Sequence, residues 1–205
     1  MAEIKNSIAL ADIDEAINCA DIDNVGGIIQ EIGIAFASDI ATWPSLPAPS
    51  GNGNETPLEL AAAGSWNGEI AQSVGKKFIK VSFTDETGTF TITQQGEAGA
   101  ESYLYQLDIS RAKMNATIFG LENALRGRKL VIIVTDKNGV KYLMGDKLNG
   151  AKMVAADAST TGTAATDKNN VPLRFTYVCP RKLVFAGSTD GLFTERQQPA
   201  QQGGG

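Results

Sequence analysis

Apolar positions in this chain alternate with polar ones far more often than they recur at helical spacing. Ile32, Ile34 and Phe36 alternate with Gly33 and Ala35 inside Ile28–Pro44, and a period of two marks a strand with one face in a core. Pro44 and Pro47 close that segment. Ile79, Val81 and Phe83 alternate with Lys80 and Ser82, and "TGTFTIT", Thr87–Thr93, sets Phe90 and Ile92 between β-branched threonines. Tyr103, Tyr105, Leu107 and Ile109 share one face of Ser102–Ser110, and Leu173, Phe175 and Tyr177 alternate with Arg174 and Thr176. "KLVIIVTDKNGVKYLMGD", Lys129–Asp146, predicts two strands around Lys137-Asn138-Gly139, because Asn-Gly between apolar runs is a strong hairpin signal, here for a type I′ turn. Asp85–Gly88 predicts a second hairpin. Asn149-Gly150 predicts a turn into Ala151–Ala156, and Leu183–Phe185 reads as the last strand.

One segment changes period. Met114, Ile118, Leu121 and Leu125 recur at helical spacing in Met114–Arg126, and Arg126-Gly127 supplies a basic last turn and a C′ glycine. About eight hairpin-connected strands and a single helix predict a mainly β fold, an antiparallel β-sandwich or barrel with one flanking α-helix. That domain is expected over residues 25–187. Residues 1–24, with Ile4, Ile8, Ile13 and Ile17 among acidic side chains, read as a short helix or extended arm. Residues 45–57, "SLPAPSGNGNETP", read as a loop, and residues 188–205 as a polar C-terminal arm.

The best strand is approached by "DASTTGTAATDKNN", Asp157–Asn170, which is small or polar throughout. Loops of this length without structure of their own are uncommon inside compact domains and tend to be functional or disordered.

Composition narrows the chemistry. With 205 residues, 42% hydrophobic and 20% charged, the chain suits one ordinary domain with a packed core. A net charge of −5 without a basic run argues against a protein that grips phosphates. The longest apolar run, Leu130–Val134, is far too short to span a membrane. The N-terminus lacks the basic start and apolar stretch of a secretory signal, so Cys19 and Cys179 are expected as reduced thiols. There is no histidine, which removes Ser-His and Cys-His dyads and the commonest metal ligand. Asp136–Gly139 and Asp167–Asn170 lack the ligand pattern of a calcium loop and read as turns. Asp12–Asn24 reads as a solvated acidic stretch. Trp66 in "GSWNGE" suggests sugar stacking only weakly, and Glu97 and Glu101 have no setting that would tune an acid–base pair. No catalytic, cofactor-binding or metal-binding residue is expected.

Several stretches, in this order, carry a resemblance: Cys19 ahead of Gly26-Gly27, a strand and "DIATWP"; then "FTITQQGEAGAESYLYQLDI" before the helix of "NATIFGLENALRGRKLVIIVTDKNGVKYLMG"; then "TTGTAATDKNNVPLRFTY", Thr160–Tyr177. The arrangement resembles phage major tail tube proteins, especially those of tailed phages and prophages of the Bacteroidota, over most of residues 19–187. Asn169-Asn170 stands where the resemblance leads one to expect Asn-Gly. The resemblance implies a non-enzymatic virion protein, assembled in the bacterial cytoplasm into stacked hexameric rings of the tail tube. Inner strands of six copies would close into one barrel around the channel for DNA delivery. The implied partners are further copies of the chain, other tail and head–tail proteins, and viral DNA passing without specific binding; no membrane is involved.

On that reading Ser159, Thr160, Thr161, Gly162, Thr163, Ala164, Ala165, Thr166, Asp167 and Asn169 form an inter-subunit segment, mobile in the monomer and ordered on assembly. Six copies at −5 each would carry −30 per ring and repel DNA phosphates. The alternatives are another virion part (a tail terminator, head–tail connector or capsid decoration protein) or a carbohydrate-binding β-sandwich.

Overall fold

The structure, a computed structural model, describes residues 24–47 and 57–193. In chain order it contains β1 (Glu31–Phe36), β2 (Ile40–Thr42), α1 (Pro57–Ala63), β3 (Ala71–Gln72), β4 (Ile79–Ser82), β5 (Thr89–Gln95), β6 (Ser102–Ala112), α2 (Ala116–Leu125), β7 (Leu130–Thr135), β8 (Lys141–Met144), β9 (Lys152–Val154) and β10 (Asn170–Cys179). The molecule is mainly β, as the alternation predicts. Two four-stranded antiparallel sheets, ordered β4-β1-β7-β8 and β5-β6-β10-β9, carry the core, with a small β2-β3 ribbon beside them. Among the described residues no sheet closes into a barrel.

The sheets face each other through their alternating apolar side chains. Phe90 of β5 meets Tyr142 of β8 across the two sheets with ring centroids 4.8 Å apart, and within one sheet Tyr105 of β6 meets its cross-strand partner Tyr177 of β10 at 5.6 Å. Tyr105, Leu107, Phe175, Ile132 and Leu143 are fully buried. α2 begins where Asn115 accepts a hydrogen bond from the Ile118 N–H at 3.0 Å, an N-cap. It buries Ile118 and Leu125 along one flank, with Leu121 and Met114 only partly covered.

The two sheets differ in what lies on their far faces. β1 and β7 are buried at consecutive positions, Ile32–Ala35 and Leu130–Val134, the pattern of strands covered on both faces. Their outer cover is the segment from Trp66 to Gln72 together with the chain from Leu183 to Phe193. Trp66 N–H donates to the Val184 carbonyl, Gln72 Nε2 to that of Leu192, and Phe185 N–H to that of Lys141. A Cβ on Gly33 would stand 2.4 Å from the Phe193 ring, so glycine there lets this cover close onto β1. β6 and β10, by contrast, bury only alternate residues.

Three expectations are corrected. Asp85–Gly88 is no hairpin: it carries the chain from β4 in one sheet to β5 in the other, and the Thr84 N–H donates to the Ser110 carbonyl. The β7–β8 turn is a three-residue link and not a type I′ turn. Gly139 alone has positive φ, at 86°. The Gly139 N–H donates to the Asp136 carbonyl and the Asp136 N–H to that of Val140, which is a type I turn closed by a left-handed glycine. Leu183–Phe185 makes an isolated bridge from Val184 to Ser65 instead of a ladder strand. Beside the one substantial helix, α2, the short helix α1 adds about two turns from the end of the Pro-rich segment.

Candidate functional site: an open sheet face and its loop

The uncovered face of the β5-β6-β10-β9 sheet follows from strand register. Thr89, Asp108, Arg174 and Val154 lie in one row, Thr91, Gln106, Thr176 and Lys152 in the next, and Thr93, Leu104 and Val178 in a third. All are exposed or half-buried. Hydroxyl, amide and small aliphatic groups dominate, with one ion pair among the described residues at the centre, Arg174 Nε donating to Asp108 Oδ1 at 2.5 Å. The protein's negative charge is therefore not gathered here. Lys152 stands at the edge, and Asp157 acts on Arg174 through space.

The same sheet ends in two strands, β5 and β9, that have a neighbour on one side only among the described residues. Every pairing from β5 through β6 and β10 to β9 is antiparallel, so the two edge strands run in opposite directions. Unpaired N–H and C=O groups along such edges are templates for another strand.

The segment of small residues links β9 to β10 and projects from one end of this sheet. Ser159, Thr160, Thr161, Thr163, Ala164, Ala165, Thr166, Asp167 and Asn169 are exposed, and Gly162 is half-buried. The loop is tied at its base and its tip. Thr160 and Asn170 exchange backbone hydrogen bonds of 3.1 and 2.9 Å, and the Asn169 side chain accepts from the Met114 N–H at 3.0 Å. At the tip Asp167 Oδ2 accepts from Ala164 N–H at 2.7 Å and Thr163 N–H at 2.8 Å. These two bonds, that from Ala164 first, hold the Asp167 carboxyl below its ordinary pKa. Gly162 has φ +73°, and a Cβ there would strike the Asp167 side chain at 2.4 Å. The structure brings the predicted segment residues into one protrusion.

Other candidates resolve into structural roles. Asp136 Oδ1 accepts from the N–H groups of Asn138 and Val140 at 2.9 and 2.8 Å, turn chemistry of the kind expected. Trp66 is 4% exposed, so its ring offers no sugar platform. Cys179 is a free, buried thiol whose pKa burial pushes up; Cys19 and Asp12–Asp23 lie outside the described residues. Tyr105, raised to about 12 by burial, donates to the Arg181 carbonyl and accepts from the Leu183 N–H. No group of acidic or cysteine side chains among the described residues could hold a metal ion. The Asp108–Arg174 pair and its row escaped sequence reading. Their alternation with buried neighbours is legible, but the register that makes them partners is not.

No protein-family model matches the chain, and no curated protein or solved structure matches it.

Proposed function

We propose that this chain is the structural subunit of a phage tail tube, in which copies join sheet to sheet around a channel for DNA. The observation that carries the reading is the open β5-β6-β10-β9 sheet: one polar, exposed face, two edge strands with no second strand partner among the described residues, and four strands strictly alternating in direction. A copy rotated about an axis running along the strands brings its β5 antiparallel to β9 of its neighbour, so the alternation continues through each seam. Such a head-to-tail contact closes into a ring when the rotation closes, and closure removes both edges at once. The ring number of six comes from the resemblance alone. In the ring the rows of Thr89, Thr91, Thr93, Gln106 and Thr176 line the lumen, a neutral surface of hydroxyl and amide groups over which DNA slides. The β9–β10 loop, at one end of the sheet, is placed to meet the next ring.

Negative-stain electron microscopy of the purified protein tests this. Long hollow rods with ring-shaped end views are expected. Single rings that never stack would move the reading to a terminator or connector, and a protein that stays monomeric at high concentration would reject it.

A further inference from the structure

The ion pair at the middle of the open face is clamped more firmly than an exposed pair needs to be. Asp108 and Arg174 stand opposite each other on the two central strands, β6 and β10. Both oxygens of the Asp108 carboxylate are engaged: Oδ1 accepts from Arg174 Nε at 2.5 Å, and Oδ2 from Gln106 Nε2 at 2.6 Å. The two charged side chains are 31% and 35% exposed, so solutes in front of the face reach them. Around them the rows hold threonine, glutamine, leucine and valine, and the next pair along β6 and β10 is Ser110 and Pro172. Asp157 faces Arg174 from the base of the loop without a hydrogen bond among the described contacts, and Lys152 stands at the β9 edge. The rows and the loop base thus hold the cations Arg174 and Lys152 and the carboxylates Asp108 and Asp157. Glu122 of α2 and Arg126 at its C-cap share a cavity with Val154 and Asp157 at the β9 edge, and Arg174 is the cation at the centre.

We propose that Asp108 masks Arg174, so that the open face meets a polyanion such as duplex DNA without holding it. The presence of DNA at this face rests on the tube reading above, whereas the masking is a property of the subunit itself. A guanidinium freed of its carboxylate is a strong partner for phosphate, since its fork of N–H donors fits two phosphate oxygens. Here the carboxylate occupies the Nε edge of that fork, and Gln106 fixes the carboxylate in turn. Repeated around a ring, unmasked guanidinium groups would add phosphate contacts at the same level of the channel and turn a sliding surface into a retaining one.

The experiment is affinity electrophoresis of the full chain through native gels that contain short duplex DNA, at ~10 mM salt where screening is weak. D108N is compared with wild type, with E97Q and with D108N/R174Q. E97Q removes the same charge at the exposed β5–β6 hairpin, beyond the paired rows of the face. The proposal expects D108N to bind at least about tenfold more tightly than E97Q, to lose that binding as salt rises, and to lose it again in D108N/R174Q. D108T, which extends the threonine rows, serves as a second unmasking variant, and circular dichroism melts check that each variant folds. Migration of both unmasked variants like E97Q overturns the proposal. So does retention that survives R174Q. Because the gels read the subunit in whatever state it runs, they separate failure of the masking from failure to form rods.

Discussion

Individual residues hold this fold at its turns, and two of them give direct tests. Gly139 is required by its φ of 86°, a region that costs an L-residue roughly 1–2 kcal/mol and a β-branched one more. Gly139→Val is expected to lower stability by about 2 kcal/mol, read as a fall in melting temperature; an unchanged melt would contradict the turn geometry. Asp167 gives a pH test with a defined sign. Its folded-state pKa is depressed by the N–H groups of Ala164 and Thr163, so the carboxylate stabilises the loop tip above its unfolded pKa. That contribution is lost as pH falls through the folded value. In an acid titration followed by NMR, the amide signals of Thr163 and Ala164 should shift together below the ordinary aspartate range. Amides that titrate at or above that range would contradict the bonding at the tip.

Elements show how much of the architecture alternation made legible. The clean period of two in β6 and β10 corresponds to a sheet with one wet face, and the continuous run LVIIV in β7 corresponds to a strand buried on both faces. What alternation cannot carry is partnership. Ile79–Phe83 and Thr87–Thr93 read as a hairpin because of the short Asp85–Gly88 link at their junction, yet tertiary packing sends them to different sheets. The helix stripe was legible as well, but its burial is uneven: Ile118 and Leu125 are each 2% exposed, whereas Leu121 is only partly covered. Leu125→Ala is therefore expected to cost ~2–5 kcal/mol and Leu121→Ala clearly less, measured by denaturant unfolding. Equal losses would mean that both side chains share one environment. The β9–β10 loop was legible as a protrusion and not as a tied one, since the bonds of Asp167 and the Thr160–Asn170 exchange depend on how the chain folds back. Its exposed tip residues, Thr161, Ala165 and Thr166, should exchange amide hydrogens rapidly in the soluble subunit and slowly in assembled particles. Fast exchange in both states would remove the loop from the interface.

At the scale of the whole molecule the two sheets are unequal, and that inequality carries the functional reading. One sheet is sealed by the chain from Leu183 to Phe193 and by the Trp66–Gln72 segment; the other keeps a polar face and, among the described residues, two edge strands paired on one side only. A lone subunit with such edges is exposed to uncontrolled strand addition, and a closed ring of copies turns the same edges into seams. Cryo-electron microscopy of the purified protein is the decisive measurement of the proposed assembly. β5 of one copy should lie antiparallel beside β9 of the next, with Thr91, Gln106 and Thr176 facing a common lumen and the β9–β10 loop against the adjoining ring. Particles joined through any other surface, or rings that turn this face outward, would contradict the proposal.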